Sequence, residues 1–142
     1  MRKKILIINA NYYDDITRNL VLAAKKVLKK KKIEISIIEV PGVFEIPIIL
    51  KKNIKKFDAF IALGCVIKGA TPHFDLICRS SFNSIQEISV NFNKPVGNGI
   101  ITALNIRQAK ERCGILKSKK PNKGLEAAKA VLSILYNGPK KI

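Results

Sequence analysis

The sequence predicts a three-layer α/β/α sandwich built on a mostly parallel, four-stranded sheet. Short β-branched apolar runs alternate with amphipathic stretches from one end of the chain to the other. Such alternation calls for right-handed crossovers that lay helices on both faces of a parallel sheet. The chain also has 142 residues, 47% of them hydrophobic, which suits one compact domain spanning 1–142.

Each element has its own signal. Residues 4–9 read as a buried strand, a short run rich in Ile and Leu that ends in a polar loop. Asp14 or Asp15 then caps a helix that places Ile16, Leu20, Ala23, Ala24, Val27 and Leu28 on one face. Residues 34–40 form a second strand, stopped by the structure-breaking pair Pro41-Gly42. Phe44 to Ile54 reads as a short helix and Asp58 to Gly64 as the third strand. A loop carrying Gly69, Thr71, Pro72 and His73 leads into a helix over about 74–91, and Pro95 to Thr102 gives the fourth strand. Helices over Asn105 to Cys113 and Asn122 to Tyr136 close the chain, with the basic loop Gly114 to Pro121 between them. The arrangement is flavodoxin-like. Ligands of such sheets bind beyond the carboxyl ends of the strands, so the candidate site is the loops at 9–15, 41–45, 64–73 and 97–104.

Composition narrows the function. Apolar stretches such as Ile5 to Ala10 and Phe60 to Val66 fall far short of the ~20 residues that span a bilayer, and no membrane partner is expected. Met1-Arg2-Lys3-Lys4 runs into the first strand with no small-residue cleavage site, which predicts a cytoplasmic protein. Cys65, Cys78 and Cys113 are odd in number and lack a C-x-x-C spacing, and His73 is the single histidine. Reduced thiols and no catalytic metal are therefore expected. The net charge of +17 is the footprint of a nucleic-acid binder. Its excess, however, is mostly Lys in short runs (29–32, 51–52, 55–56, 119–120), with no Arg-rich reading helix. Solvated faces that focus small anions toward a cleft are the reading adopted, without a nucleic-acid partner.

Those four loops also hold the residues suited to chemistry. His73, at the start of a helix, is placed either for proton transfer near neutral pH or as a surface cap. The Gly69-Ala70-Thr71 amides precede a helix N-terminus, an arrangement that suits phosphate and recurs in many loops. Tyr12, at the tip of the first strand, can stack on a flat heterocycle or simply cover the sheet. Glu45, among apolar neighbours, can meet a polyol hydroxyl or serve as a favourable helix N-terminal acid. Arg112 and Lys123 flank the last loop, as phosphate ligands or ordinary solvated charges.

Two long segments resemble the lumazine synthase family in the family's own order. Val40-Pro41-Gly42-Val43-Phe44-Glu45-Ile46-Pro47 is similar to its ribityl-binding turn, and Leu63 through Asp75 (LGCVIKGATPHFD) to its phosphate and catalytic loop. Asn122 to Ala128 is similar to the start of its last helix. The resemblance covers nearly the whole chain. It implies condensation of 5-amino-6-(D-ribitylamino)uracil with 3,4-dihydroxy-2-butanone 4-phosphate to 6,7-dimethyl-8-ribityllumazine, without cofactor or metal. A catalytically weak lumazine- or phosphate-binding homologue is the alternative.

By the same resemblance, Tyr12 stacks on the pyrimidinedione, and Val43, Phe44 and Glu45 hold the ribityl chain. Cys65, Val66 and Ile67 line the ring pocket, Ala70 and Thr71 meet the phosphate, and His73 moves protons. Arg112, with Lys123 in the same region, reaches that phosphate from a neighbouring subunit. Three positions depart from the family's habit: Asn98 where many members place a Phe over the heterocycle, Asn11 where Arg is frequent, and Lys68 where Arg is common. They bear on substrate affinity rather than on activity.

The resemblance also implies a homo-oligomer, expected to be a pentamer rather than a sixty-subunit shell. Met1 lies close to the first strand, so the longer leading segment of many relatives is expected to be missing. The loop Gly114 to Pro121 looks one residue longer than the turn of shell-forming members, and Pro121 stiffens it. At +17 per chain, self-repulsion opposes closure of a shell.

Overall fold

A computed structural model describes residues 2–137. Four strands, β1 (Lys3–Ala10), β2 (Ile33–Val40), β3 (Ala59–Ile67) and β4 (Val96–Ala103), form one sheet in the order β2-β1-β3-β4. All three pairings are parallel. Five helices connect or follow them: α1 (Asp14–Leu28), α2 (Ile46–Asn53), α3 (His73–Phe92), α4 (Ile106–Arg112) and α5 (Lys123–Leu135). The expected α/β/α sandwich is present.

Strand alternation divides the core in two. Ile5 and Ile7 of β1, with Ile61 and Leu63 of β3, pack against Ile16, Leu20 and Leu28 of α1, Ala109 of α4, and Ala127, Ala128 and Val131 of α5. Leu6, Ile8, Phe60 and Ile100 face the opposite way, toward Ile46 and Leu50 of α2 and Ile85 of α3. The central strands β1 and β3 are covered on both faces, which explains their continuous apolar runs.

Beyond one-residue shifts at other ends, the structure differs from the sequence reading at three places. β3 runs on to Ile67, because its ladder with β4 continues through Cys65↔Ile101 and Ile67↔Ala103. Gly64 thus lies inside the strand, where a Cβ would crowd the Val43 side chain. The segment after β2 is a 3-10 turn, Val43–Glu45, followed by α2, with Pro47 in the first turn where its missing N–H costs nothing. Neither Asp14 nor Asp15 caps α1: the cap position is Tyr13, whose carbonyl accepts the amides of Ile16 (3.0 Å) and Thr17 (2.9 Å). Asp14 instead pairs with Arg18 one turn on, and Ala23 is only half-buried.

The last two helices each begin one residue after an Asn that caps them. Asn105 Oδ1 accepts the Gln108 amide at 2.9 Å, and Asn122 Oδ1 accepts those of Gly124 and Leu125 at 2.8 and 3.1 Å. Asn122 Nδ2 also donates to the Cys113 carbonyl at 2.9 Å, clamping the ends of the basic loop together. The chain leaves α4 through Gly114 at φ +84°, a left-handed conformation that favours glycine.

Candidate active site

The sheet order reverses direction at β1: the chain steps to β2 on one side, then to β3 and β4 on the other. Loops that diverge at such a point open a crevice. A cleft of about 510 Å³ lies there, lined by Tyr12 and Tyr13 after β1, Gly42 to Glu45 after β2, Cys65 to Ile67 at the end of β3, and His73 and Ile77 of α3. Seven sequence-derived residues therefore meet in one place: Tyr12, Val43, Phe44, Glu45, Cys65, Val66 and Ile67, with His73 beside them.

The backbone explains this convergence. Asn11 ties the exit of β1 to β2, through its amide to the Val40 carbonyl (3.0 Å) and its side chain to the Glu39 carboxylate (2.5 Å). Tyr12 projects from that fixed point with 76% of its surface exposed, and Phe44 is 60% exposed on the facing turn. Two aromatic rings so bare at the rim of a cleft are placed to be covered by a flat ligand or a second chain. Val43 is buried and anchors the turn, while Glu45 is half-buried, with its amide bonded to the Gly42 carbonyl at 3.1 Å.

Tyr13, Gly42 and Ile77 also line the cleft and are absent from the sequence-derived set. The Tyr13 ring stands edge-on to Tyr12, centroids 5.0 Å apart. Burial, reinforced by Cys65 and Tyr12, pushes the Tyr13 phenol above its ordinary pKa. The doubled tyrosine at a strand exit was the signal available for it. Burial likewise pushes the Cys65 thiol up to about 12, with Cys113 and Asp15 adding to the effect. Cys65 is thus a protonated wall of the pocket and not a nucleophile at neutral pH.

His73 is exposed at the first position of α3, its amide 3.4 Å from Thr71 Oγ1. Ala70 and Thr71 stand on the exposed loop before it, outside the lining of the cleft. Asn98, Arg112 and Lys123 lie elsewhere. They share a second cavity of about 120 Å³ along the free edge of β4, together with Phe82, Thr102 and Gln108. Asn98 is exposed, and its Oδ1 accepts the Ile100 amide at 3.0 Å. No residue lines both cavities. One chain therefore presents two separate cavities: an aromatic cleft bearing Glu45 and His73, and a cationic edge bearing Arg112 and Lys123. Among the described residues no group of three or more His, Cys, Asp or Glu is placed to hold a metal ion.

A parallel α/β sheet with a cleft beyond its strand ends, lined by exposed aromatic rings, a carboxylate and one imidazole, defines an α/β protein with a small-molecule-sized candidate site. The profile of the 6,7-dimethyl-8-ribityllumazine synthase family matches residues 2–137. A 6,7-dimethyl-8-ribityllumazine synthase of Campylobacter jejuni is 45% identical over 137 residues, covering 93% of this chain and 87% of the relative. Those of Aliarcobacter butzleri and Methylorubrum populi are 40% and 37% identical, covering 95% and 93% of this chain and 89% and 80% of the relatives. The chain belongs to the 6,7-dimethyl-8-ribityllumazine synthase family, and it is a transferase of riboflavin biosynthesis.

Proposed function

We propose that the chain, acting as a single domain, condenses 5-amino-6-(D-ribitylamino)uracil with 3,4-dihydroxy-2-butanone 4-phosphate in a site completed by a neighbouring subunit. The observation that carries this reading is the separation of the two half-sites on one chain. A pocket for the heterocycle opens at the strand ends, and the cations suited to the phosphate line the opposite edge of the sheet.

The pyrimidinedione stacks on Tyr12 between the walls formed by Cys65, Val66 and Ile67. The ribityl chain runs along Val43 and Phe44, its hydroxyls meeting Glu45. Ala70 and Thr71 cradle the phosphate from the cleft side, and the Arg112 guanidinium and Lys123 ammonium meet it from the neighbour. Asn98, beside Arg112, then faces the heterocycle from the neighbour as well. The ring amine attacks the butanone carbonyl and water leaves to form an imine. Elimination then releases phosphate, and ring closure expels a second water. His73 carries protons between these steps, worth about 10²–10⁴-fold for a well-placed imidazole. Holding the two substrates face to face lowers the barrier by on the order of several kcal/mol more. Neither a cofactor nor a metal takes part in these steps.

The exposed apolar surface supports an oligomer. Of the twenty residues of α3 only Ser81 and Ile85 are buried, while Leu76 and Val90 on it and Ile48 on α2 are 66%, 63% and 58% exposed. Patches of that kind mark subunit contacts. A head-to-tail contact between cleft and edge closes into a ring, for which five subunits in the cytoplasm is our reading. Light scattering at physiological salt is expected to give about five times 15.8 kDa. A stable particle near sixty chains would replace the pentamer with a shell.

Mixing the protein with both substrates and following the fluorescent lumazine tests the activity directly. Absence of product, with lumazine still bound, would favour a binding homologue. In the same assay Arg112→Ala is expected to raise KM for the butanone phosphate by about 10-fold or more, the scale for a lost charged hydrogen bond, and to leave KM for the uracil nearly unchanged. Equal effects on both substrates would remove the dedicated phosphate contact.

A further inference from the structure

We infer that the protein carries a second anion site, a preformed cationic basin at the end of the sheet opposite the cleft, which binds chains of phosphoryl groups. The basin has a volume of about 370 Å³ and is lined by Arg2, Lys3, Lys4, Lys55, Lys56 and Lys94, with Phe57 and Asp58 in its wall. Its residues gather at the amino ends of β1, β3 and β4, whereas the catalytic cleft sits beyond the carboxyl ends. A strand of eight or nine residues puts the two about 25 Å apart. The basin is therefore no part of the cleft in the same chain.

Three chain segments supply the cations, and hydrogen bonds fasten them to one another. The Lys4 amide donates to the Asp58 carboxylate at 2.8 Å, and the Asp58 amide donates back to the Lys4 carbonyl at 2.8 Å. Lys94 Nζ donates to the Phe57 carbonyl at 2.9 Å. Lys94 itself is held by the end of α3: its amide donates to the Ser89 carbonyl at 3.1 Å, and its carbonyl accepts the Ser89 hydroxyl at 2.7 Å. The left-handed Asn93 beside it, at φ 53°, fixes the turn. The backbone that carries the charges and the Lys94 ammonium are thus braced, which leaves the five exposed side chains as the groups to be ordered on binding.

The charge balance is one-sided. Asp58 is the one carboxylate in the lining, and Glu34, the register partner of Lys4 on β2, is the nearest other acid along the ladder. Among the described residues none of the six cations forms a salt bridge. Like charges around a concavity focus its field on anions. The volume equals roughly a dozen waters at about 30 Å³ each, more than a single phosphate needs. The lysine run at 29–32, by contrast, is exposed at a turn and lies outside the basin. The only aromatic in the wall, Phe57, is half-buried and packed at a steep angle against Phe60, and one such ring is no platform for stacking successive bases. Bare phosphoryl chains fit better than single-stranded nucleic acid.

Calorimetric titration of the intact protein with inorganic tripolyphosphate tests this. Saturable binding that weakens steeply with added salt is expected, with orthophosphate binding far more weakly at this site. The double variant Lys55→Gln/Lys56→Gln should weaken tripolyphosphate binding about 10-fold and leave lumazine formation unchanged. Lys55→Arg/Lys56→Arg should retain it, and Arg112→Ala, at the catalytic edge, should not affect it. Undiminished affinity in the Gln variant, or loss of affinity in Arg112→Ala alone, would place the anion in the catalytic site and overturn the inference. Tighter binding of a single-stranded oligonucleotide of equal charge would overturn the choice of ligand.

Discussion

Replacing His73 with alanine is expected to lower turnover by roughly 10-fold to 10³-fold, while leaving the fold and the affinity for both substrates nearly intact. The imidazole is exposed at the first residue of α3 and supports none of the core, so its removal leaves no cavity. It is also the single histidine, so the cleft holds no second imidazole to replace it. Burial holds the Cys65 thiol and the Tyr13 phenol protonated. Assistance rather than absolute need explains why some activity remains: the aligned substrates still react, more slowly, with water as the proton carrier. A turnover number at saturation equal to that of the unaltered protein would remove His73 from the mechanism.

The second large effect concerns stability. Gly124→Ala is expected to destabilise the fold by about 3 kcal/mol, lowering Tm by about 10 °C. Helix propensity alone predicts the opposite sign, since alanine is favoured over glycine inside a helix by roughly 0.8–1.0 kcal/mol. Gly124, however, is buried in the first turn of α5, where a Cβ would overlap the backbone carbonyl of Leu20 in α1. Backbone cannot rotate aside as a side chain can, so α1 and α5 would have to part and unpack Leu20, Ala127 and Ala128. Urea unfolding reads the sign. A variant as stable as the parent, or more so, would mean that the two helices separate at little cost.

The architecture was largely legible because periodicity is set by burial. Ile5 to Ile8 form a continuous apolar run because β1 is covered on both faces, and Ile16, Leu20, Val27 and Leu28 recur at helical spacing because α1 has one buried side. The boundaries that differed depend on tertiary contacts. Gly64 looks like a strand end, yet partners on β4 carry the ladder three residues further, to Ile67. Asp14 looks like a cap but lies just inside the helix, where Arg18 is its partner.

Much of the cleft was legible for a related reason: Tyr12, Glu45, Cys65 and His73 all stand where a strand or its following turn ends. Tyr13 was not, because the preference for an acidic cap drew the helix start past it. The grouping of Asn98 with Arg112 and Lys123 joins β4, α4 and the start of α5 across the free sheet edge, and no local pattern encodes it. The cationic basin is likewise assembled from residues near 3, 56 and 94, each of which reads alone as an ordinary solvated lysine.

The proposed active site is shared between two chains, with His73 from one and Arg112 from its neighbour. Co-assembly of His73→Ala and Arg112→Ala chains in equal amounts tests this most directly, with lumazine formation assayed at low butanone phosphate. In a head-to-tail ring, about a quarter of random interfaces pair an intact cleft with an intact cationic edge. Mixed rings are expected to recover about a quarter of the unaltered activity, well above either variant assembled alone. Activity equal to the average of the two separate variants would show that each site belongs to one chain, and would contradict the shared site.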